Sequence, residues 1–69
     1  MTAEELGEAF KDAMEKISDT AEFKRVMEAT ANHKDPEGLK RYKNANTDIL
    51  SPEAKAAIDL SVRIKEAQG

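Results

Sequence analysis

The sequence predicts an all-α protein, a small helical bundle of three longer helices with one short helix before the last. Apolar residues recur at helical spacing in several segments, and no segment alternates apolar and polar residues as a strand does. Asp35-Pro36 and Ser51-Pro52, two pairs typical of helix starts, lie between those segments. Since the chain has 69 residues, we expect a single helical domain over residues 1–69.

The first helix is predicted over about residues 3–18. Thr2 and Glu5 match a capping box, in which the threonine hydroxyl accepts from an amide of the first turn and the glutamate reaches back to the cap amide. This pair places the helix start at Thr2. Apolar residues then follow at the spacing of one helix face: Leu6, Phe10, Ala13, Met14 and Ile17.

The second helix is predicted over about residues 20–31, with an inward stripe of Phe23, Val26 and Met27. If the first two helices were continuous, their apolar stripes would lie roughly 120° apart around the axis. That offset favours a break at residues 18–20, where Asp19 with Glu22 matches a second cap. A single bent helix is the alternative.

The third helix is predicted to be short, from Pro36 to residue 43 or 44, with Leu39 and Tyr42 on its inner face. Residues 44–48 are typical of a turn, because Asn and Asp side chains bond their own backbone. The same residues resemble the opening of a calcium loop. They lack the glycine and the glutamate that such a loop needs at its sixth and twelfth positions.

The fourth helix is predicted from Pro52 to about residue 67. Its apolar residues cover about 200° of the helix surface, roughly twice the arc that a surface helix needs. Two interpretations follow. Either this helix is central in the bundle, or Ile58 and Val62 form an exposed apolar edge that docks on a partner or on a second copy of the chain.

The composition predicts a thin, aliphatic core. Aromatic residues make up 4% of the chain and charged residues 36%. Domains of this size commonly gain support from a disulfide, a metal or a partner chain. The chain has no Cys and one His, which excludes disulfides and zinc sites built on Cys or several His. We therefore expect no metal and no cofactor, and support from another protein or a second copy.

Charge is distributed unevenly. Residues 1–22 hold seven acids and two bases, a net charge of −5, whereas residues 23–43 hold six bases and three acids, a net charge of +3. These segments either attract each other within the fold or face different partners. The sequence shows neither a leader peptide nor a membrane span, so we expect a soluble cytoplasmic protein with no membrane partner.

These features predict a non-enzymatic protein-binding or regulatory module, an adaptor or inhibitor that occupies a partner surface, as a monomer or a homodimer. The sequence holds no set of nucleophile, base and orienting group, so we do not expect an enzyme. The alternative is a small nucleic-acid-binding regulator, in which basic side chains contact phosphates beside a stacking tyrosine. The predicted partner-binding residues are Ile58, Val62, Lys40, Arg41, Tyr42 and Lys43.

Overall fold

The computed structural model describes residues 2–68, which form four α-helices and no strand. The predicted all-α class is therefore confirmed. Three of the helices have 13 to 17 residues and one has 10, as the sequence predicted. The helices are α1 Ala3–Glu15, α2 Thr20–Asn32, α3 Pro36–Ala45 and α4 Pro52–Gln68.

Helix α4 is central, because it packs against each of the other three helices. Its small residues allow neighbouring helices to approach closely, while its β-branched residues fill the space between them. This central position explains the broad apolar arc that the sequence predicted. The buried residues of α4 are Ala54, Ala57, Ile58, Ser61 and Val62.

Helix α1 begins at the predicted capping box. The Thr2 hydroxyl oxygen accepts from the Glu5 amide at 3.2 Å, and the Thr2 amide donates to the Glu5 carboxylate at 3.1 Å. The helix ends at Glu15, three residues earlier than predicted. Ile17 lies outside the helix but remains buried, because the chain tightens into a turn whose Ile17 amide donates to the Met14 carbonyl at 3.1 Å.

The predicted break between α1 and α2 is confirmed. The Asp19 carboxylate accepts from the amides of Ala21 at 2.9 Å and Glu22 at 3.4 Å, and this cap starts α2 at Thr20. The predicted partnership of Asp19 with Glu22 is only half correct. The Glu22 side chain bonds Ser51, 29 residues away along the chain, and does not return to the cap.

The sequence prediction of which face of α2 packs inward is wrong. Only Val26 of the expected stripe is buried, whereas Phe23 and Met27 are exposed. The face that packs inward consists of Glu22, Val26 and Ala29. Its centre lies roughly 90° around the helix from the predicted one. The rotation brings the Glu22 carboxylate to its partners at the start of α4 and places a small Ala29 against the core.

Helices α3 and α4 begin at the predicted caps. The Asp35 carboxylate accepts from the Glu37 amide at 3.0 Å, and the Ser51 hydroxyl oxygen accepts from the Ala54 amide at 3.2 Å. Helix α3 extends to Ala45, so the predicted turn is shifted to residues 46–49. There the Asn46 side-chain amide donates to the Tyr42 carbonyl at 2.8 Å, the kind of local bond expected of Asn in a turn.

Replacing Gly7 by alanine is expected to stabilise the protein. Gly7 lies inside α1, its φ is not positive, and a Cβ atom built there meets no other atom within 4 Å. Alanine should therefore raise the free energy of unfolding by about 0.5–1 kcal/mol, because it restricts the unfolded chain and favours the helix. Thermal melting by circular dichroism measures this effect. A lower melting temperature would contradict a regular α1 at this position.

Candidate interaction surfaces

The predicted docking edge on α4 is not exposed. Ile58 is 0% exposed and Val62 is 5% exposed, and both belong to the core cluster with Val26, Leu39 and Leu50. The expectation that these two side chains face a partner is therefore corrected. They lie on a different side of α4 from Leu60, but a central helix is covered on several sides. While α4 remains packed, a partner cannot reach them.

Large apolar side chains are exposed elsewhere. Phe23 is 38% exposed and Met27 is 46% exposed, and since they are four residues apart they lie on one face of α2. These two residues are termed the α2 patch. Ile49, in the turn before α4, is 59% exposed. Sequence reasoning assigned Phe23 and Met27 to the core, because helical spacing does not reveal which edge of a stripe faces inward.

A buried carboxylate ties α2 to the start of α4. Glu22 is 8% exposed, and it accepts hydrogen bonds from the Ser51 amide at 3.1 Å and from the Ser51 hydroxyl. Ser51 in turn caps α4 through the Ala54 amide. The negative charge of Glu22 is thus held near the positive end of the α4 dipole. This junction holds Ser51 beside the first turn of α2.

The basic segment of α3 is largely occupied by ion pairs within the fold. The Lys40 ammonium lies 3.4 Å from the Glu37 carboxylate and 3.3 Å from that of Glu66 on α4. The Lys43 ammonium pairs with the Asp59 carboxylate, also on α4. These contacts brace α3 against α4. Two of the acidic partners come from α4 and Glu37 comes from α3 itself, and none of the described pairs joins this segment to the acidic residues 2–22.

The ion pairs of Lys40 and the cap of Glu5 shift two pKa values in opposite directions. The hydrogen bonds to Glu66, and then to Glu37, raise the pKa of Lys40. These ion pairs stabilise the folded state fully at pH values below 10.5, the ordinary pKa of lysine. The stabilisation is lost as pH rises through the raised pKa of Lys40 in the folded state. The Thr2 amide, and then the Thr2 hydroxyl, lower the pKa of Glu5. The ionised Glu5 side chain therefore stabilises the folded state at neutral pH, and this contribution is lost as pH falls through the folded-state pKa of Glu5. Both groups are exposed, and solvent screens these effects.

The remaining residues of the basic segment, Arg41 and Tyr42, differ in exposure and in their neighbours. Arg41 is exposed, and it forms no salt bridge among the described residues. Tyr42 is half-buried, and its ring packs on the His33 ring, with centroids 5.5 Å apart and planes tilted by 40°. His33 ends α2, where its amide donates to the Ala29 carbonyl at 3.0 Å. This packing holds Tyr42 against the end of α2, which limits its use as a stacking platform for a base.

A groove of about 540 Å³ runs between α1 and the first half of α4. Alanines and one leucine line its apolar part, and charged side chains stand at its border. The sequence carries no local signal for this groove, because the groove is formed by two helices that are distant in the chain. Its lining residues are Ala9, Asp12, Ala13, Lys16, Pro52, Glu53, Ala56 and Leu60.

Residues 2–68 hold neither a metal-type cluster nor a helix that could span a membrane. No group of three His, Cys, Asp or Glu side chains in this range is arranged to hold a metal ion. None of the four described helices combines the length and the apolar character that crossing a membrane requires. The exposed acids of α1, among them Glu4, Glu8 and Glu15, stand on its solvent side.

Comparison with protein-family models, with curated proteins and with solved structures gave no match.

Proposed function

We propose that the protein is a non-enzymatic protein-binding module, an adaptor or inhibitor that acts by occupying a surface of its partner. The observation that supports this most directly is the α2 patch. Phe23 and Met27 remain exposed in a domain whose core holds few large side chains. Aromatic residues and Met are enriched at protein interfaces, where they serve as anchors in apolar pockets.

The geometry of the α2 patch suits insertion into a pocket of the partner. Its two side chains project from one face of a regular helix, so their relative positions are fixed before binding. Met adapts its shape to an irregular pocket, while Phe provides a rigid anchor of large area. Lys24, exposed on the same helix, lies next to Phe23 and about 60° around the axis from Met27.

The partner that fits this surface carries an apolar pocket bordered by acidic side chains. Lys24 stands at the border of the α2 patch, and no salt bridge among the described residues neutralises it. Charges at the rim of an interface mainly set the association rate and the orientation, whereas buried anchors set the dissociation rate. We therefore expect Phe23 and Met27 to supply the affinity and Lys24 to supply its dependence on salt.

The nucleic-acid alternative receives less support. Phosphate binding by Lys40 and Lys43 would compete with their ion pairs to Glu37, Glu66 and Asp59. Arg41 alone provides few contacts to phosphates, and the net charge of −3 on the protein opposes binding to a polyanion.

Replacing Met27 by glutamate is expected to abolish partner binding while leaving the protein folded. The new charge would enter the apolar interface without a partner, which costs several kcal/mol. Met27 is exposed, so the free protein tolerates the change. Tagged variants are used as bait in lysate of the source cells, and the proteins retained are quantified by mass spectrometry. Phe23→Ser is expected to show the same loss.

Ala21→Glu is the matched control, because it adds the same charge to α2. Ala21 is exposed, and its position lies about 120–160° around the axis from the α2 patch. We expect this variant to retain the same proteins as the unmodified chain. If Met27→Glu and Ala21→Glu retain identical proteins, the α2 patch is not the binding surface.

A further inference from the structure

We propose that the groove between α1 and α4 is a self-association surface, covered by the same face of a second copy of the chain. The groove lies on helices other than the one that carries the α2 patch. This inference therefore does not depend on the proposed partner of that patch. A domain with so thin a core is expected to gain stability from a second chain. The groove is the surface on which we place that chain.

The shape of the groove suits the approach of another helix. Ala9 and Ala13 on α1 face Ala56 on α4, and these short side chains let a third helix lie close to both axes. Leu60 is half-buried at one end of the groove and offers apolar surface to a helix of the second copy. Two copies related by a two-fold axis would place α1 of each against the α1–α4 groove of the other.

Three charged residues line the groove, Asp12 and Lys16 on α1 and Glu53 on α4, and the two on α1 are complementary to each other across a two-fold axis. Asp12 and Lys16 both line the groove, one helical turn apart on α1. In a two-fold interface, whenever residue i meets residue j, residue j also meets residue i. An antiparallel crossing of the two α1 helices, centred midway between these positions, therefore sets Asp12 of each copy opposite Lys16 of the other. Two identical ion pairs result.

The mixed charge of the groove favours a second copy over a partner of uniform charge. A basic surface would face Lys16 with a like charge, and an acidic surface would face Asp12 and Glu53 with like charges. Neither residue forms a salt bridge among the described residues, so both charged groups are free to pair across the interface.

Charge exchange at these two positions tests the inference. Sedimentation velocity of the full chain is measured from about 10 μM to about 1 mM. The unmodified chain is expected to approach twice its 7.6 kDa mass as the concentration rises. Asp12→Lys and Lys16→Asp, each made alone, place like charges opposite each other and should weaken self-association by roughly tenfold or more.

Two further samples separate charge pairing from loss of folding. An equimolar mixture of the two single variants restores opposite charges across the interface and should form a dimer with one chain of each kind. The double variant Asp12→Lys/Lys16→Asp keeps the net charge of −3 and should self-associate like the unmodified chain. Circular dichroism verifies that every variant is helical. Any one of three results would overturn the proposal. The unmodified chain could stay monomeric at about 1 mM, the single variants could associate like the unmodified chain, or the mixture could remain monomeric.

Discussion

Replacing Val62 by glutamate is expected to unfold the protein. Val62 is 5% exposed within the core cluster, so the new carboxylate would be buried without a positive partner. That burial costs several kcal/mol. A domain of 69 residues has a total stability of only about 3–10 kcal/mol. The far-ultraviolet circular dichroism spectrum at 25 °C should therefore lose most of its helical signal.

Two variants distinguish core disruption from a general effect of mutation on α4. Arg63→Glu changes the charge at the adjacent exposed position and should leave the spectrum unchanged. Val62→Ala removes buried methyl groups without adding charge and should cost about 1–3 kcal/mol. A Val62→Glu chain that remains helical and melts close to the unmodified protein would show that this edge is not core. The docking role for Ile58 and Val62 would then be restored.

Replacing Glu22 by alanine is expected to lower the free energy of unfolding by about 2–3 kcal/mol. The change removes two hydrogen bonds to a carboxylate and leaves the Ser51 amide without its partner. It also removes the hydrogen bonds that join α2 to the start of α4. Equilibrium unfolding in urea measures the loss, through a lower midpoint at nearly constant slope.

A double-mutant cycle with Ser51→Ala tests whether the two side chains act together. We expect a coupling free energy of about 1–2 kcal/mol, because each single change removes the same hydroxyl–carboxylate bond. Glu22→Gln keeps one acceptor oxygen and should lose less stability than Glu22→Ala. Strictly additive losses in the cycle would contradict a junction between Glu22 and Ser51.

Local signals predicted the elements of this fold well. The caps at Thr2, Asp19, Asp35 and Ser51 all start helices, because a side-chain oxygen must satisfy amides only two or three residues away. A short sequence window contains all the atoms of such a motif. Helix ends were less accurate, as at Glu15, since they depend on where the chain must turn back toward the core.

The faces of the helices were predicted less well, because their partners lie far along the chain. Glu22 was assigned to a local cap, but Ser51 lies 29 residues away and draws it inward. That rotation exposes Phe23 and Met27, which the periodicity alone had placed in the core. A buried glutamate is uncommon, and the sequence contains no signal that singles out Glu22 among the 14 acidic residues of the chain.

Residues that are distant along the chain also decide whether the candidate site residues are free or occupied. Lys40, Arg41 and Lys43 form a basic segment in the sequence, but the fold brings Asp59 and Glu66 to two of them. Ile58 and Val62 appeared to extend beyond a normal helix face, and a central helix has no free face on that side. The α1–α4 groove is formed by helices at opposite ends of the chain.

The most direct test of the proposed function is a capture experiment on source-cell lysate divided into nuclease-treated and untreated halves. The tagged chain is compared with Met27→Glu and with a variant in which Lys40, Arg41 and Lys43 are neutralised. The proposal predicts one protein retained in near-equal amounts from both halves, lost with Met27→Glu and kept with the neutralised variant. Retention only in the untreated half, insensitive to Met27→Glu and abolished by neutralisation, would contradict the proposal and favour nucleic-acid binding.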